Sequence, residues 1–410
     1  MTSSTSDIRL LFATRIVRMF SYGLLAVILA LYLSDLGLSD SQIGLLLTLT
    51  LLGDTFISLW ITTRADRVGR KRMLLIGAAL MVLAGILFAF TRNFYLLLFA
   101  ATIGVISPSG NEVGPFLAIE QSALAHTLPA SDRTQVFAWY QLAGSLATAL
   151  GSLIGGGLAQ ILQNNGVPAL SSYRYIILIY ALLGFALLVL FNFVSPKVEV
   201  IFNGNEAAKI NLLGLGASNK TVLKLAGLFS VDAFAGGFVV QTIVAYWFHL
   251  RYGVSPSTLG AIFFSANILA GISALSAAWI ARRIGLLNTM VFTHVPSNML
   301  LILVPLMPNL ALAISVLLLR FSISQMDVPT RQSYTLAVVA PEERSSAAGV
   351  TGIARTLGAS LAPLFSAPLI GIPALAGAPF IISGALKLIY DFSLYRSFKT
   401  IKPYEEKDPR

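Results

Sequence analysis

The chain has 410 residues, 56% hydrophobic and only 11% charged, whereas a soluble domain carries about a quarter charged residues; a water-soluble globular protein is excluded. The net charge of +10 is of the kind that collects on the cytoplasmic loops of membrane proteins, and with no soluble basic domain present, nucleic acid is not an expected partner. Cysteine is absent, which removes disulfides, thiolate metal sites and cysteine nucleophiles.

Apolar segments recur along the chain with polar breaks between them. Spans are predicted at 8–34, 41–63, 73–92, 94–123, 133–162, 173–195, 221–248, 256–281, 288–308, 309–338, 345–371 and 375–397. Each is long enough to cross a bilayer as a helix, the open-ended form that satisfies its own backbone there. The first span holds Arg15 and Arg18 within its apolar run, and no small-residue cleavage site follows, so an ordinary signal peptide is not expected. With Tyr22 these arginines stand at i, i+3 and i+7, on one helix face; Arg15 is close enough to the inner surface to snorkel towards it. The second span carries Asp54 near its midpoint. The fourth holds Ser107, Pro108, Ser109, Gly110, Asn111, Glu112, Gly114 and Pro115, a run of breakers and polar groups whose depth implies backbone lining a cavity.

Glycines 144, 151, 155, 156 and 157 of the fifth span suit close helix packing. The seventh offers Asp232. His294 in the ninth reads as structural. The tenth carries Arg320, Ser324, Asp327 and Arg331 as one stripe, and Asp327 and Arg331, four apart, either serve a site or only neutralise each other. The eleventh adds Arg355. In the twelfth, Lys387 and Asp391 are also four apart and read as a structural pair.

Positive charge alternates between breaks. Arg64, Arg67, Arg70, Lys71, Arg72, Arg133, Lys197, Lys209, Lys220, Arg282, Arg283 and Arg344 fall in one set, against Arg92, Arg174 and Arg251 in the other. The first set is expected to be cytoplasmic, with both termini inside and the protein multi-pass in the plasma (inner) membrane. The polar stretch after the sixth span divides the chain into a six-helix bundle at 1–195, a cytoplasmic linker at 196–220, a second bundle at 221–398 and a tail at 399–410. A slide of 216 positions lays Gly37, Ser39, Ile43 and Gly44 on Gly253, Ser255, Leu259 and Gly260, and residues 65–69 on 281–285. The fold class expected is an all-α membrane protein of twelve transmembrane helices in two pseudo-symmetric bundles. Duplication of this kind is a transporter architecture.

The turn after the second span reads TTRADRVGRKR. It resembles the loop motif of the major facilitator superfamily, Gly-x-x-x-Asp-Arg-x-Gly-Arg-Lys. Asp66, Arg67, Gly69, Arg70 and Lys71 match; Thr62 stands in place of the leading glycine and Arg64 at a usually apolar position. The resemblance implies a latch, with Asp66 at the N-terminus of the eleventh helix, Gly69 permitting the reversal, and Arg70 seeking an acid, for which Glu120 is placed. The fifth-span glycines partly resemble the motif of drug:proton antiporters, without its proline.

Charges at membrane depth are costly and are functional candidates by default. Neither Glu112 nor Asp54 has a basic residue within a turn of its own helix. A buried carboxylate without a cation can load and release a proton, so Glu112 and Asp54, then Asp232, are the expected proton-coupling acids. Arg18, Tyr22, Asn111, Gln141, Gln241, Arg320, Asp327 and Arg355 are the expected substrate contacts, since guanidinium suits carboxylate and phosphate. No phosphate-binding loop, metal-ligand cluster or nucleophile elbow occurs. The expectation is a monomeric secondary transporter rather than an enzyme, with no cofactor or metal. Its partners would be a small-molecule substrate, protons and the lipid bilayer. The leading reading is a proton-coupled exporter of small amphiphiles or drugs by alternating access. The alternatives are a proton symporter or exchanger for organic anions and, from another class, a non-transporting receptor or enzyme on the same fold.

Overall fold

A computed structural model describes residues 2–112, 114–127, 133–195, 199, 216, 218–340 and 343–400. The helices are α1 (Thr2–Asp35), α2 (Asp40–Val68), α3 (Arg70–Phe90), α4 (Phe94–Ile103), α5 (Phe116–Thr127), α6 (Arg133–Asn164), α7 (Ala169–Asn192), α8 (Asn219–Gly237), α9 (Gln241–Tyr252), α10 (Pro256–Ile284), α11 (Leu286–Leu303), α12 (Leu310–Phe321), α13 (Asp327–Ala337), α14 (Arg344–Leu361), α15 (Pro363–Gly371) and α16 (Ala378–Phe398). Among the described residues, nine helical stretches are long and apolar enough to cross a membrane, and α4 and α12 are shorter apolar helices. Large apolar side chains face outward, Phe90, Phe193 and Phe392 among them, as a surface bathed in lipid requires. The protein is a multi-pass integral membrane protein of the all-α class.

Four predicted spans are helix pairs. The fourth is interrupted between Ile103 and Phe116, as its Gly and Pro content foretells. The other three divide at points that the span boundaries do not mark. The seventh ends α8 at Gly237, where a Cβ would lie 2.3 Å from the Ala359 carbonyl oxygen. The eleventh divides at Ala362, before Pro363 opens α15; proline has no amide with which to continue a helix. The tenth breaks at 322–326 without glycine or proline. There the Gln325 N–H is taken by Ser273 Oγ at 3.1 Å, a tertiary contact that no local pattern announces.

The repeat is visible in the punctuation. The 216-residue slide carries the bounds of α2 onto those of α10 and the start of α3 onto that of α11. Gly37 and Gly253 have φ of 89° and 63°, and Gly69 and Gly285 have φ of 112° and 85°, a region glycine enters without a Cβ penalty. Ser39 Oγ accepts from Gln42 N–H and Ser255 Oγ from Thr258 N–H, each at 3.3 Å. Asn93 caps α4 and Asn309 caps α12.

Backbone packing divides the chain into two compact units, Met1–Asn205 with Val240–Asn267, and Glu206–Val239 with Ile268–Arg410. The first therefore includes α9 and the start of α10. In it α1 and α6 approach at backbone distance: a Cβ at Gly23, Gly151 or Gly155 would meet the carbonyl oxygen of Thr148, Phe20 or Leu24 at 2.1–2.5 Å. In the second, α8 packs on α14 and α11 on α16, with Val222, Leu225, Phe229, Tyr390 and Leu394 in its core.

Candidate functional site

In the first unit, Arg15 and Arg18 point inward rather than snorkel; they are 1% and 0% exposed. Glu112 bridges them, with Oε2 2.5 Å from Arg15 Nη1 and Oε1 2.8 Å from Arg18 Nε. The other edge of Arg18 forks onto Glu120 at 2.9 and 2.7 Å. Thr14 Oγ1 (2.8 Å) and the Tyr140 hydroxyl also donate to Glu120. Arg15 donates to the Tyr140 carbonyl oxygen at 2.9 Å and to Gln141 Oε1 at 2.8 Å. Gly144 makes room for this guanidinium, since a Cβ there would lie 2.6 Å from Arg15 Nε. Two cations and two anions thus close on one another through charge-assisted hydrogen bonds, the form in which buried charge is tolerated.

This geometry corrects two expectations. Glu112 has no cation on its own helix but has two from α1, so it is not an uncompensated acid. Glu120 is not reserved for Arg70, because both its oxygens are occupied by α1 and Tyr140. Arg70 instead donates from Nη2 to Ser122 Oγ at 2.6 Å. The backbone N–H groups of Arg70 and Lys71 donate to the Glu199 carboxylate at 2.6 and 3.0 Å, a side-chain cap on the start of α3. Lys71 Nζ caps the end of α7 through the carbonyl oxygens of Asn192 and Val194. Gly69 joins α2 directly to α3. The side chain of Asp66 lies outside the described residues, as does most of the 196–220 linker.

Asp54 differs. Its Oδ1 accepts from the Gly114 N–H at 2.6 Å and from Ser58 Oγ at 3.3 Å, and among the described residues it forms no ion pair. Tyr22 is buried one turn beyond Arg18. Asn111 is exposed, and Gln241 donates to Ser152 Oγ at 3.2 Å while accepting from Asn267 at 3.3 Å.

The second unit gathers its charges around one carboxylate. Asp232, 2% exposed, accepts from Lys387 Nζ at 2.6 Å, Arg355 Nη1 at 3.1 Å and Arg331 Nη1 at 3.3 Å. His294 Nε2 lies 3.8 Å away, and its Nδ1 is 2.8 Å from Asp391 Oδ1. Asn298 donates to the other Asp391 oxygen at 2.9 Å. Asp327 holds Arg331 at 2.6 Å across one helical turn, yet Arg331 reaches Asp232 as well, so the pair is not self-contained. Lys387 turns to α8 rather than to Asp391, which corrects the i, i+4 pairing expected in the last span. Asp232 is therefore no proton acid lacking a cation. Arg320 stands apart: among the described residues its buried Nε has no hydrogen-bond partner, and its guanidinium lies 5.0 Å from the Phe321 ring.

Sequence reasoning left Arg15, His294, Lys387 and Asp391 outside the candidate set, while Tyr140 belongs to the polar lining expected of the cavity. The available signal was arithmetic. Arg15 is needed to balance the two glutamates; in the second half Arg320, Arg331 and Arg355 already match Asp232, Asp327 and Asp391 in number, so the count does not point to Lys387.

A sequence model described as the Major Facilitator Superfamily matches residues 11–363. The chain is 32% identical over 420 residues, 95% of itself and 94% of the relative, to the uncharacterized membrane protein YJR124C of Saccharomyces cerevisiae. The quinolone resistance protein NorA of Staphylococcus aureus is 30% identical over 139 residues, 34% of each chain. Among solved structures, the nucleoside transporter NupG aligns with TM-score 0.74 at 14% identity over 96% of this chain and 99% of the other. A D-xylose-proton symporter aligns with TM-score 0.74 at 14% identity over 98% and 99%. These structural likenesses concern the fold.

Proposed function

Because the chain belongs to the major facilitator superfamily, we propose that it is a proton-coupled secondary transporter whose small organic solute carries an anionic group held at Arg355. Family membership supports transport; the crowding on Asp232 supports the substrate class. Three cationic side chains share that carboxylate, and Arg355 is the one whose side chain is 32% exposed. If a solute carboxylate or phosphate drew Arg355 away, Lys387 and Arg331 would still compensate Asp232. Guanidinium offers such groups a planar fork, and the exchange replaces one charge-assisted bond by another. Asp54 is the proposed proton carrier, being the candidate acid with only neutral donors. In the same proposal both termini lie on the cytoplasmic side of the plasma membrane, and a monomer works by alternating access between two six-helix halves with a latch at the Gly69–Arg70 turn.

The test is a thermal-shift screen of carboxylates, phosphate esters and cationic amphiphiles on the purified protein, followed by flux of any hit in proteoliposomes with and without a pH gradient. A ligand that binds only the native state raises apparent stability. Anionic compounds are expected to raise the melting temperature of the wild type and not of Arg355→Gln, and Asp54→Asn is expected to uncouple flux from the gradient. Stabilisation by cationic amphiphiles alone would favour export of drugs, the reading to which the partial likeness to NorA belongs.

A further inference from the structure

The interruption in the fourth span is tied to four different helices at alternate residues. The Pro108 carbonyl oxygen accepts from the Thr242 N–H of α9 at 3.0 Å. The Gly110 carbonyl oxygen accepts from Thr148 Oγ1 of α6 at 3.4 Å. Glu112 joins Arg15 and Arg18 of α1. The Gly114 N–H donates to Asp54 of α2 at 2.6 Å. Backbone released from a helix inside a membrane must find other partners, and the ties at Pro108, Gly110 and Gly114 are of that kind.

We propose that this segment is the element through which the proton state of Asp54 changes the shape of the first unit, with Gly114 as its positioning residue. The inference rests on the reading of Asp54 as proton carrier. A bond from an N–H to a carboxylate is roughly twice as strong as one to a neutral acceptor, so protonation weakens the hold on Gly114 in particular. The other side of the contact cannot follow: a Cβ at Gly53 would lie 1.8 Å from the Thr102 carbonyl oxygen, so α2 is fixed backbone-to-backbone against α4. Gly114 holds its place at φ +82°, and a Cβ there would meet Val105 Cγ1 at 2.7 Å; the conformation is one that loses its support when the carboxylate is discharged. The titratable groups that act on Asp54 are Glu112 of the segment, already compensated by Arg15 and Arg18, and Tyr22 of α1, with Ser58 as hydrogen-bond donor on its own helix. Glu112 and Pro108 carry the ties of the same segment to α1 and to Thr242, so a shift of Gly114 bears on both.

The natural absence of cysteine permits a single nitroxide label without background. Asn111→Cys places it on an exposed side chain inside the segment, and Asn165→Cys places a control in an exposed turn. In nanodiscs, the label at 111 is expected to change mobility between neutral and mildly acidic pH while the label at 165 does not. Asp54→Asn, which keeps an acceptor oxygen but cannot ionise, is expected to hold the label at 111 in its acidic-pH form throughout. Ser58→Ala removes one donor to the charged carboxyl and is expected to move the midpoint of the change to higher pH. A label at 111 indifferent to pH, a response surviving in Asp54→Asn, or an equal response at 165 overturns the proposal. Flux separates the two readings: coupling lost in Asp54→Asn with a silent label sinks this inference alone, whereas pH-driven flux intact in Asp54→Asn sinks the proton-carrier assignment.

Discussion

The two units solve the problem of buried charge differently. In the first, two arginines and two glutamates pair off so that Arg18 alone grips both acids, and the arginines are sealed from solvent. In the second, three cations converge on Asp232 and one of them, Arg355, remains partly exposed. The backbone frame is repeated at 216 residues, down to the turn glycines and the asparagine caps, but the charges are not: Arg15 and Arg18 fall opposite Val231 and Phe234. A closed network holds a structure in place, whereas an oversubscribed carboxylate has a partner to spare.

The sharpest way to break this contrast is Arg18→Met. It strips Glu120 of its cation and Glu112 of one of two, and a buried charge left without its partner costs about 3–5 kcal/mol, read as a large fall in apparent melting temperature. Arg18→Lys should recover only part, because an ammonium cannot fork onto two acids. Asp232→Asn comes next, at about 3 kcal/mol, the low end of that range, because Arg331 retains Asp327 and Arg355 reaches solvent. Combining it with Lys387→Met should cost less than the sum of the single changes, by about 1–3 kcal/mol in a double-mutant cycle. No such recovery would mean that Asp232 is not the hub.

The repeated frame is probed by Gly69→Ala and Gly285→Ala, each expected to cost about 1–3 kcal/mol for a side chain forced into a backbone region that glycine alone enters readily. Gly69 should be the more sensitive, because its Cβ would also meet Glu199 Oε1 at 3.3 Å while that of Gly285 meets nothing within 4 Å. The smallest effect on stability belongs to Arg355→Gln, under about 1 kcal/mol, because Arg355 is the most exposed of the three cations and Asp232 keeps Lys387 and Arg331. Its consequence should appear as loss of the thermal shift given by anionic ligands. A large destabilisation would make Arg355 a structural member of the network after all.

Much of the frame was legible before any coordinates. Apolar runs mark the spans, the Gly-Asn-Pro cluster marks the break in the fourth, and Asp54 stands out because it is alone on its helix. Glu112 stands equally alone on its own segment, and there the same reasoning failed, because its cations come from α1. Lys387 and Asp391 misled in the opposite sense: four residues apart, they look like a pair, yet each is claimed by another helix. The break at 322–326 carried no Gly or Pro to announce it.

Sequence by itself determined that this chain is a membrane protein, where its apolar spans lie, how its helical frame repeats and which ionised groups lie within those spans. Those properties follow from local composition and from the cost of exposing backbone or charge to lipid. Only the tertiary structure decided which acid meets which base, and hence that Asp54 rests on neutral donors while Asp232 is crowded. Ion pairing is set by distances between side chains from different helices, and spacing along one helix does not carry that information.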